Sequence, residues 1–525
     1  MESYRLNDRI GRKRVWALGL GVVGLGTVLP RLMVIGGPPT TDEGIYAAQA
    51  QFLAAGLSAG HGLPDAGPLM LYPLLTAWVF RLTWNPLVLL RLVDLAVACA
   101  TSWLFYRVIR QECRSRVAGA VIACLFLWVM NQLAFIQSGY RNSIFCAEAA
   151  LFLAFLLVQD APADKTVRWG LAGSLTGLAV LLREPLFPFA IAGSIAAAAT
   201  GRWRCCLAFT LGGLAAAAIV VSSILAAGRS LDALQQAYRD YGSIYAALDG
   251  NRWRYFLRNG LRAALVALPA LIMAGGGLFL AARAEQAATR STAARRRLWF
   301  WLAVTLLPLW EPLAKIGFPY HFALCLPGLA GSTAFGWRYR ADAVHRIKPA
   351  LLAVGAGAIM LLVAFDLAVM ARQARAAAGV LGALTSGTWP AESIARSNYL
   401  RAAEAIRAAA PQHATVSTSG FFWGLLPLTG LLPPSFGLAD LNSAAIVLRL
   451  DESRLRTLLV ACPPDVLLVT NRAMPGTDIV KRAVIASGLF QPVGDLPITA
   501  QDTTLRYGGT IYRRIAAEPA PCTGQ

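Results

Sequence analysis

Residues 15–47 read VWALGLGVVGLGTVLPRLMVIGGPPTTDEGIYA. The run from Val15 to Ile35 is apolar for long enough to cross a bilayer, which takes about twenty helical residues. Arg5, Arg9, Arg12, Lys13 and Arg14 precede it. Segments rich in Lys and Arg stay on the cytoplasmic side. The run is too long for the core of a cleaved signal peptide, and no clear small-residue cleavage site follows. It reads as a retained signal-anchor helix with its N-terminus inside. The chain then emerges outside, where Thr40-Thr41-Asp42-Glu43 reads as a helix start with acids in its first turn, a placement the helix dipole favours.

The composition extends this reading to the rest of the chain. The 525 residues are 57% hydrophobic and 14% charged, against about a quarter charged in a soluble domain. Mean hydropathy is +0.54. A soluble enzyme, a disordered chain and a fibrous protein are excluded. The net charge of +20 would point to nucleic acid in a soluble protein. Here it reads as loop arginine that sets orientation, and no nucleic-acid partner is expected. The nine cysteines form no CxxC motif and no Cys/His cluster, so no zinc site is indicated. Cys462 and Cys522 fall in the polar C-terminal part and could pair if that part is exported.

Apolar segments near 15–35, 87–109, 117–137, 144–158, 169–183, 185–200, 205–227, 261–281, 298–314, 319–336 and 350–371 read as spans. Starting inside, every predicted inner loop is basic, from Arg107/Arg110/Arg114/Arg116 to Arg338/Arg340/Arg346/Lys348. The expected fold is a polytopic α-helical membrane protein of about eleven transmembrane helices. Residues 1–371 form its membrane domain, and residues 389–515 form a C-terminal extracytoplasmic α/β domain. The first outer loop, 36–86, carries two interfacial-looking pieces, 42–57 and 68–82. The second outer loop, 228–260, mixes aromatics with arginines. In the C-terminal region, helices are expected over Ser397–Ala410 and Thr477–Ser487. Strands are expected over Ala414–Thr418, Asp465–Thr470 and Leu505–Arg513.

One inside/outside assignment places Arg31, Asp42, Glu43, Arg141, Glu148, Arg183, Glu184, Glu311, Lys315 and His321 at the outer ends of helices. Ionisable groups within or beside spans are costly and usually face a cavity or one another. Singly, each has a bland account: a favoured helix start for Asp42-Glu43, a neutralising pair for Arg183-Glu184, and snorkelling for Arg141, Lys315 and His321. Jointly they describe a water-accessible outer cavity. It offers carboxylates for base work and cations for an anion such as phosphate.

These residues fall in an order that resembles the GT-C superfamily of membrane glycosyltransferases, which use polyprenyl-phosphate sugars. The superfamily includes protein O-mannosyltransferases and the aminoarabinose transferases of lipid A. The segment Thr41-Asp42-Glu43-Gly44-Ile45-Tyr46-Ala47 resembles their Asp-Glu motif in the first outer loop. Gly67-Pro68-Leu69-Met70-Leu71-Tyr72 resembles the Pro-Leu-x-x-Tyr segment that follows it. Arg91-Leu92, the Leu171–Ala179 stretch running into Arg183-Glu184-Pro185, and Phe318-Pro319-Tyr320-His321 before Leu326-Pro327 continue the order. One departure stands out: Ala66-Gly67 occupies the place of a lysine that aminoarabinose transferases use toward the donor phosphate.

The resemblance implies a polyprenyl-phosphate sugar donor, a lipid, glycan or protein acceptor, and a bacterial cytoplasmic-membrane enzyme with its site facing outward. Asp42 is the expected base, with Glu43 second. Arg141, Arg183, Lys315 and His321 are the expected grip on the donor phosphate. Tyr46, Tyr72, Glu184 and Tyr320 are expected to bind substrate. The acid pair could instead hold a divalent cation such as Mg or Mn, since hard cations prefer oxygen; two adjacent acids do not by themselves make a metal site. The chain has no nucleotide-binding glycine loop in a suitable context. The alternatives are a transporter or flippase of an anionic lipid or lipid-linked sugar, and a structural assembly subunit. A transporter would more often place its charges near the midplane.

Overall fold

The computed structural model describes residues 15–35, 39–55, 71–82, 86–136, 140, 144–159, 165–226, 252–288, 292–314, 317–340, 394–420, 422–434, 438–447, 449–471, 476–496 and 508–515, with a few single positions besides. Most of the expected span at 350–371 lies outside them, only 368–371 being described, as helix; Arg141 and Lys315 also lie outside.

Among the described residues, three helices are long and apolar enough to cross a membrane unaided: α1 (Val15–Leu32), α4 (Pro86–Cys113) and, within Trp203–Ala226, α9 (Trp203–Ser223). Two shorter helices, α2 (Thr41–Ala54) and α3 (Leu71–Thr76), lie in the segment between α1 and α4. Between α4 and α9 come α5 (Arg116–Met130), α6 (Ile144–Val158), α7 (Thr166–Leu182) and α8 (Phe187–Ala198), with a single helical turn at Leu133–Ile136 between α5 and α6. A fourth span is reached if α10 (Arg252–Val266) and α11 (Leu268–Ala288) are joined, but the chain bends by 81° between them. The eleven spans expected from the sequence are therefore not all matched by long apolar helices.

Two corrections have a common cause in proline. The expected span at 261–281 is not continuous, and helix begins already at Arg252 inside the expected loop. Pro269 lacks an N–H and its ring clashes with the carbonyl four residues back, which breaks the helix at Ala267. The expected span at 298–314 is α12 (Thr292–Leu306) followed by a 3-10 turn at Leu307–Leu309 and a short helix at Trp310–Ala314, with Pro308 and Pro312 in the later pieces. Pro319 opens another 3-10 segment, Pro319–Cys325, which leads into α13 (Leu326–Arg338).

Helix α10 has the residue pattern of a helix lying in a membrane surface. Trp253, Leu257, Leu261 and Leu265 recur every fourth residue and are exposed. Arg254, Arg258 and Arg262 form the neighbouring row.

Helices α7 and α9 are drawn together by glycine. A Cβ on Gly173 would meet the Phe209 carbonyl oxygen at 1.9 Å, and one on Gly212 would meet that of Gly170 at 2.1 Å. Small residues let helix backbones approach this closely in lipid.

One end of the bundle is tied together by Glu112 of α4, which is 1% exposed. Arg297 of α12 and Arg338 of α13 each lie 3.9 Å from its Oε1, and Gln159, just past α6, donates to its Oε2 at 3.0 Å. The C-termini of α4, α6 and α13 and the early part of α12 therefore meet here. The opposite end of the bundle gathers the C-terminus of α1 and the N-termini of α4, α6 and α13.

The C-terminal region packs helices on both faces of a four-stranded sheet. Strands β1 (Val416–Ser417), β2 (Val466–Thr470), β3 (Phe490–Asp495) and β4 (Gly509–Arg514) stand in the order β1-β2-β4-β3. The β1–β2 pair is parallel and the other two pairs are antiparallel. Residues alternate across a strand. Val466 and Leu468 accordingly pack with Ala402 and Ile406 of α14 (Ile394–Ala409). Leu467 and Val469 face the other way, toward α15 (Glu452–Ala461) and α16 (Thr477–Ser487).

Candidate active site

Helix α2 starts as its sequence demands. Thr40 is the N-cap, its side chain accepting from the Glu43 backbone N–H at 3.4 Å. Thr40 with Glu43 three residues on is the spacing of a capping box, but the Glu43 carboxylate does not turn back to the cap. It reaches Arg91 of α4, which donates from Nε to Oε1 at 2.7 Å and from Nη2 to Oε2 at 2.6 Å. Both side chains are fully buried. Arg91 also donates to the Ile35 carbonyl at 2.7 Å, and the Tyr140 backbone N–H donates to Glu43 Oε1 at 3.0 Å. The phenol of Tyr140 shares a 2.7 Å hydrogen bond with Thr76, and its ring stacks on Tyr72 at 5.5 Å. Burial pushes the Tyr140 phenol well above its ordinary range, so it stays neutral.

A second buried pair lies one helical turn along α4. Asp94 is ion-paired with Arg31 of α1, and Tyr72 of α3 donates to its other oxygen at 2.5 Å. Arg91 and Asp94 thus tie α1, α2, α3 and the Tyr140 segment to one stretch of α4. The bidentate fork of Arg91 fixes geometry as well as charge.

The other side of α2 belongs to the C-terminal region. A Cβ on Gly44 would lie 2.2 Å from the Gly424 backbone nitrogen, so only glycine allows this approach. Ala48 and Phe52 share a core with Phe422, Trp423 and Leu426, and Gln51 donates to the Leu431 carbonyl at 3.1 Å. Helix α2 is thereby wedged between bundle and sheet region, with Asp42 half-buried at its start.

The remaining expected residues form two further groups at the same end of the bundle. Arg183 ends α7 in extended backbone, is 6% exposed, and acts electrostatically on the buried Glu148 of α6. Glu184 follows, half-buried, in a 3-10 turn with Pro185. His321 Nε2 lies 3.8 Å from Glu311 Oε1, both side chains being 2% exposed. Tyr320 packs edge-on against the imidazole at 4.3 Å and stacks on Phe318 at 5.6 Å. Tyr46 is half-buried on α2, and Tyr72 spends its hydroxyl on Asp94.

Three residues of this site carried a weaker sequence signal. Asp94 was not among the expected groups, Arg91 entered only as a motif residue, and Arg31 only as an end-of-span charge. An arginine and an aspartate three apart inside an apolar span mark a stretch whose charges need partners, without saying which partners.

The Asp42-Glu43 pair does not fit a divalent cation. Both Glu43 oxygens are engaged by the Arg91 guanidinium, which would also repel a cation. Among the described residues, no three of His, Cys, Asp and Glu converge as a metal ion requires.

Helix α2, with its acids in the first turn, is thus clamped between the bundle and the C-terminal α/β region. One solved structure shares the fold over nearly its whole length. The chain is similar to ArnT from Cupriavidus metallidurans bound to undecaprenyl phosphate, with a TM-score of 0.51 at 12% identity. That match covers 96% of this chain and 98% of ArnT. An oligosaccharyltransferase from Archaeoglobus fulgidus in the apo form also matches, with a TM-score of 0.48 at 12% identity over 86% of this chain and 69% of the other. No family model and no curated protein matches the sequence.

Proposed function

We propose that this protein is a membrane glycosyltransferase. It moves a sugar from a polyprenyl-phosphate donor to a hydroxyl acceptor at the outer face of a bacterial cytoplasmic membrane. The observation that carries the reading is helix α2. It is locked on one flank by the Glu43–Arg91 fork and on the other by Gly44 against Gly424, and it holds Asp42 half-buried between bundle and sheet region. The fold shared with ArnT supports a polyprenyl-phosphate donor, since that structure carries undecaprenyl phosphate.

Asp42 acts as the base. It takes the proton of the acceptor hydroxyl as that oxygen bonds to the anomeric carbon. The bond from that carbon to the lipid phosphate oxygen breaks, and polyprenyl phosphate leaves. Arg183 and His321 neutralise the leaving phosphate, with Arg141 and Lys315 completing the grip. Glu43 positions Asp42 through Arg91 rather than acting on the acceptor. Tyr46, Glu184 and Tyr320 line the substrate path. The mechanism routes no step through a metal.

Orientation follows from charge and redox state. The Arg297/Arg338 end of the bundle is basic and takes the cytoplasmic side. Cys462 is disulfide-bonded, whereas Cys99, Cys113, Cys124, Cys205, Cys206 and Cys325 of the bundle are thiols. A disulfide in the C-terminal region suits an oxidising compartment. A reporter fused after Ile515 is expected to be active only outside the cytoplasm, and cytoplasmic activity would reverse the site's orientation.

Donor binding tests the phosphate assignment. Titrating the detergent-solubilised protein with undecaprenyl phosphate is expected to show saturable binding. Arg183→Ala is expected to weaken it by about tenfold or more, as loss of a charge-assisted contact does. Equal affinity in the two proteins would remove Arg183 from the phosphate site.

A further inference from the structure

Gln49 is fully buried on α2, and neither its amide oxygen nor its amide nitrogen has a hydrogen-bond partner among the described residues. Buried polar groups in native proteins are nearly always matched, and an unmatched one needs an explanation such as a ligand or water. Its place on the helix gives one. Gly44, Ala48, Gln51 and Phe52 commit one flank of α2 to the C-terminal region. Glu43 and Ala47 commit another to the bundle. Asp42 and Gln49 lie on the face left between, and Tyr46, which packs partly against the bundle, borders it. Asp42 and Gln49 are seven residues apart, two turns of helix, so they point the same way with about 10 Å between them along the axis.

We infer that Gln49 is a positioning residue of an acceptor subsite, reading hydroxyl groups two helical turns from the base, and that the acceptor is an extended glycan. The inference rests on the glycosyltransferase reading of the site. A primary amide offers two N–H donors and a carbonyl acceptor without charge. It matches neighbouring sugar hydroxyls, not the donor phosphate, which needs cations. Tyr46, one turn on from Asp42, supplies a flat apolar surface between the two polar contacts, suited to the face of a sugar ring. The far end of α2 is held against the C-terminal region by Gln51, which places this subsite on that side of Asp42. An acceptor that reaches from Asp42 to Gln49 spans more than one sugar unit.

The test pairs stability with transfer. In the ligand-free protein, Gln49→Leu keeps the shape and removes an unmatched amide, so the thermal midpoint is expected to rise by a few degrees. In cells, mass analysis of envelope glycans is expected to show the transferred sugar reduced at least tenfold and carried on an oligosaccharide. A lower midpoint would mean that the amide is already satisfied, which overturns the inference. A raised midpoint with unchanged product would mean that the amide meets only water or nothing the reaction uses, which also overturns it. Product found on a protein side chain or a lone phosphate headgroup would overturn the glycan assignment. Asp42→Asn, run in parallel, separates the two levels. Lost product there with unchanged product in Gln49→Leu sinks this inference alone. Retained product in Asp42→Asn sinks the reading beneath it.

Discussion

Asp42→Asn is expected to reduce sugar transfer by about 10²–10⁴-fold, the usual worth of a positioned general base, while folding and donor binding persist. Asparagine is nearly isosteric with aspartate but cannot take a proton. The helix that carries residue 42 is held by other groups: Glu43 on Arg91, Gly44 on Gly424, and Ala48 and Phe52 in the shared core. Its start is capped by Thr40, so the variant loses at most part of a first-turn charge effect, on the order of 0.3–1 kcal/mol. A large kinetic loss with a small shift in thermal midpoint separates chemistry from stability. Measuring both on the purified variant checks it; wild-type transfer rates would remove Asp42 from the reaction.

Arg91→Met is expected to have the largest structural effect. It leaves the Glu43 carboxylate buried among apolar atoms with only the Tyr140 backbone N–H at 3.0 Å as described support. Removing one partner of a buried ion pair costs about 3–5 kcal/mol, because the remaining charge stays desolvated. Arg91 also gives up its bond to the Ile35 carbonyl, at the end of the first span. The double variant Glu43→Leu/Arg91→Met removes both charges and is expected to regain most of that stability, since an apolar pair of similar volume replaces a buried ion pair at little cost. Transfer should stay low in the double variant, because helix α2 loses its bidentate anchor. Denaturation midpoints and transfer rates for the two single variants and the double complete the cycle. Additive losses would mean that Glu43 and Arg91 do not act as a unit.

The sequence carried the outer-loop acids and their helix because local signals agree there: an apolar span, then threonine at the cap and acids in the first turn. It carried Thr477–Ser487 to the residue, where Gly476 and Gly488, both in the left-handed conformation, punctuate an amphipathic run. It missed β3. Phe490–Asp495 contains Pro492 and Gly494, carries a bulge between them, and pairs only with β4 at the sheet edge. Edge strands tolerate proline and bulges, so no alternating apolar pattern marks them. The sequence also offered charged residues one at a time. That Arg31 meets Asp94 while Arg91 meets Glu43 depends on how four elements far apart in the chain pack together, and spacing within one element does not encode it. Gln49 illustrates the same limit. Its type is unremarkable in a surface helix, and only burial without a partner distinguishes it.

The central claim is tested most directly by turnover. The purified full-length protein, in vesicles supplied with polyprenyl-phosphate-linked sugars and envelope glycans, is predicted to release free polyprenyl phosphate as sugar appears on an acceptor, one for one, with both products absent for Asp42→Asn. Movement of the intact donor across the bilayer with no cleavage of the sugar–phosphate bond would contradict the account and make the protein a carrier.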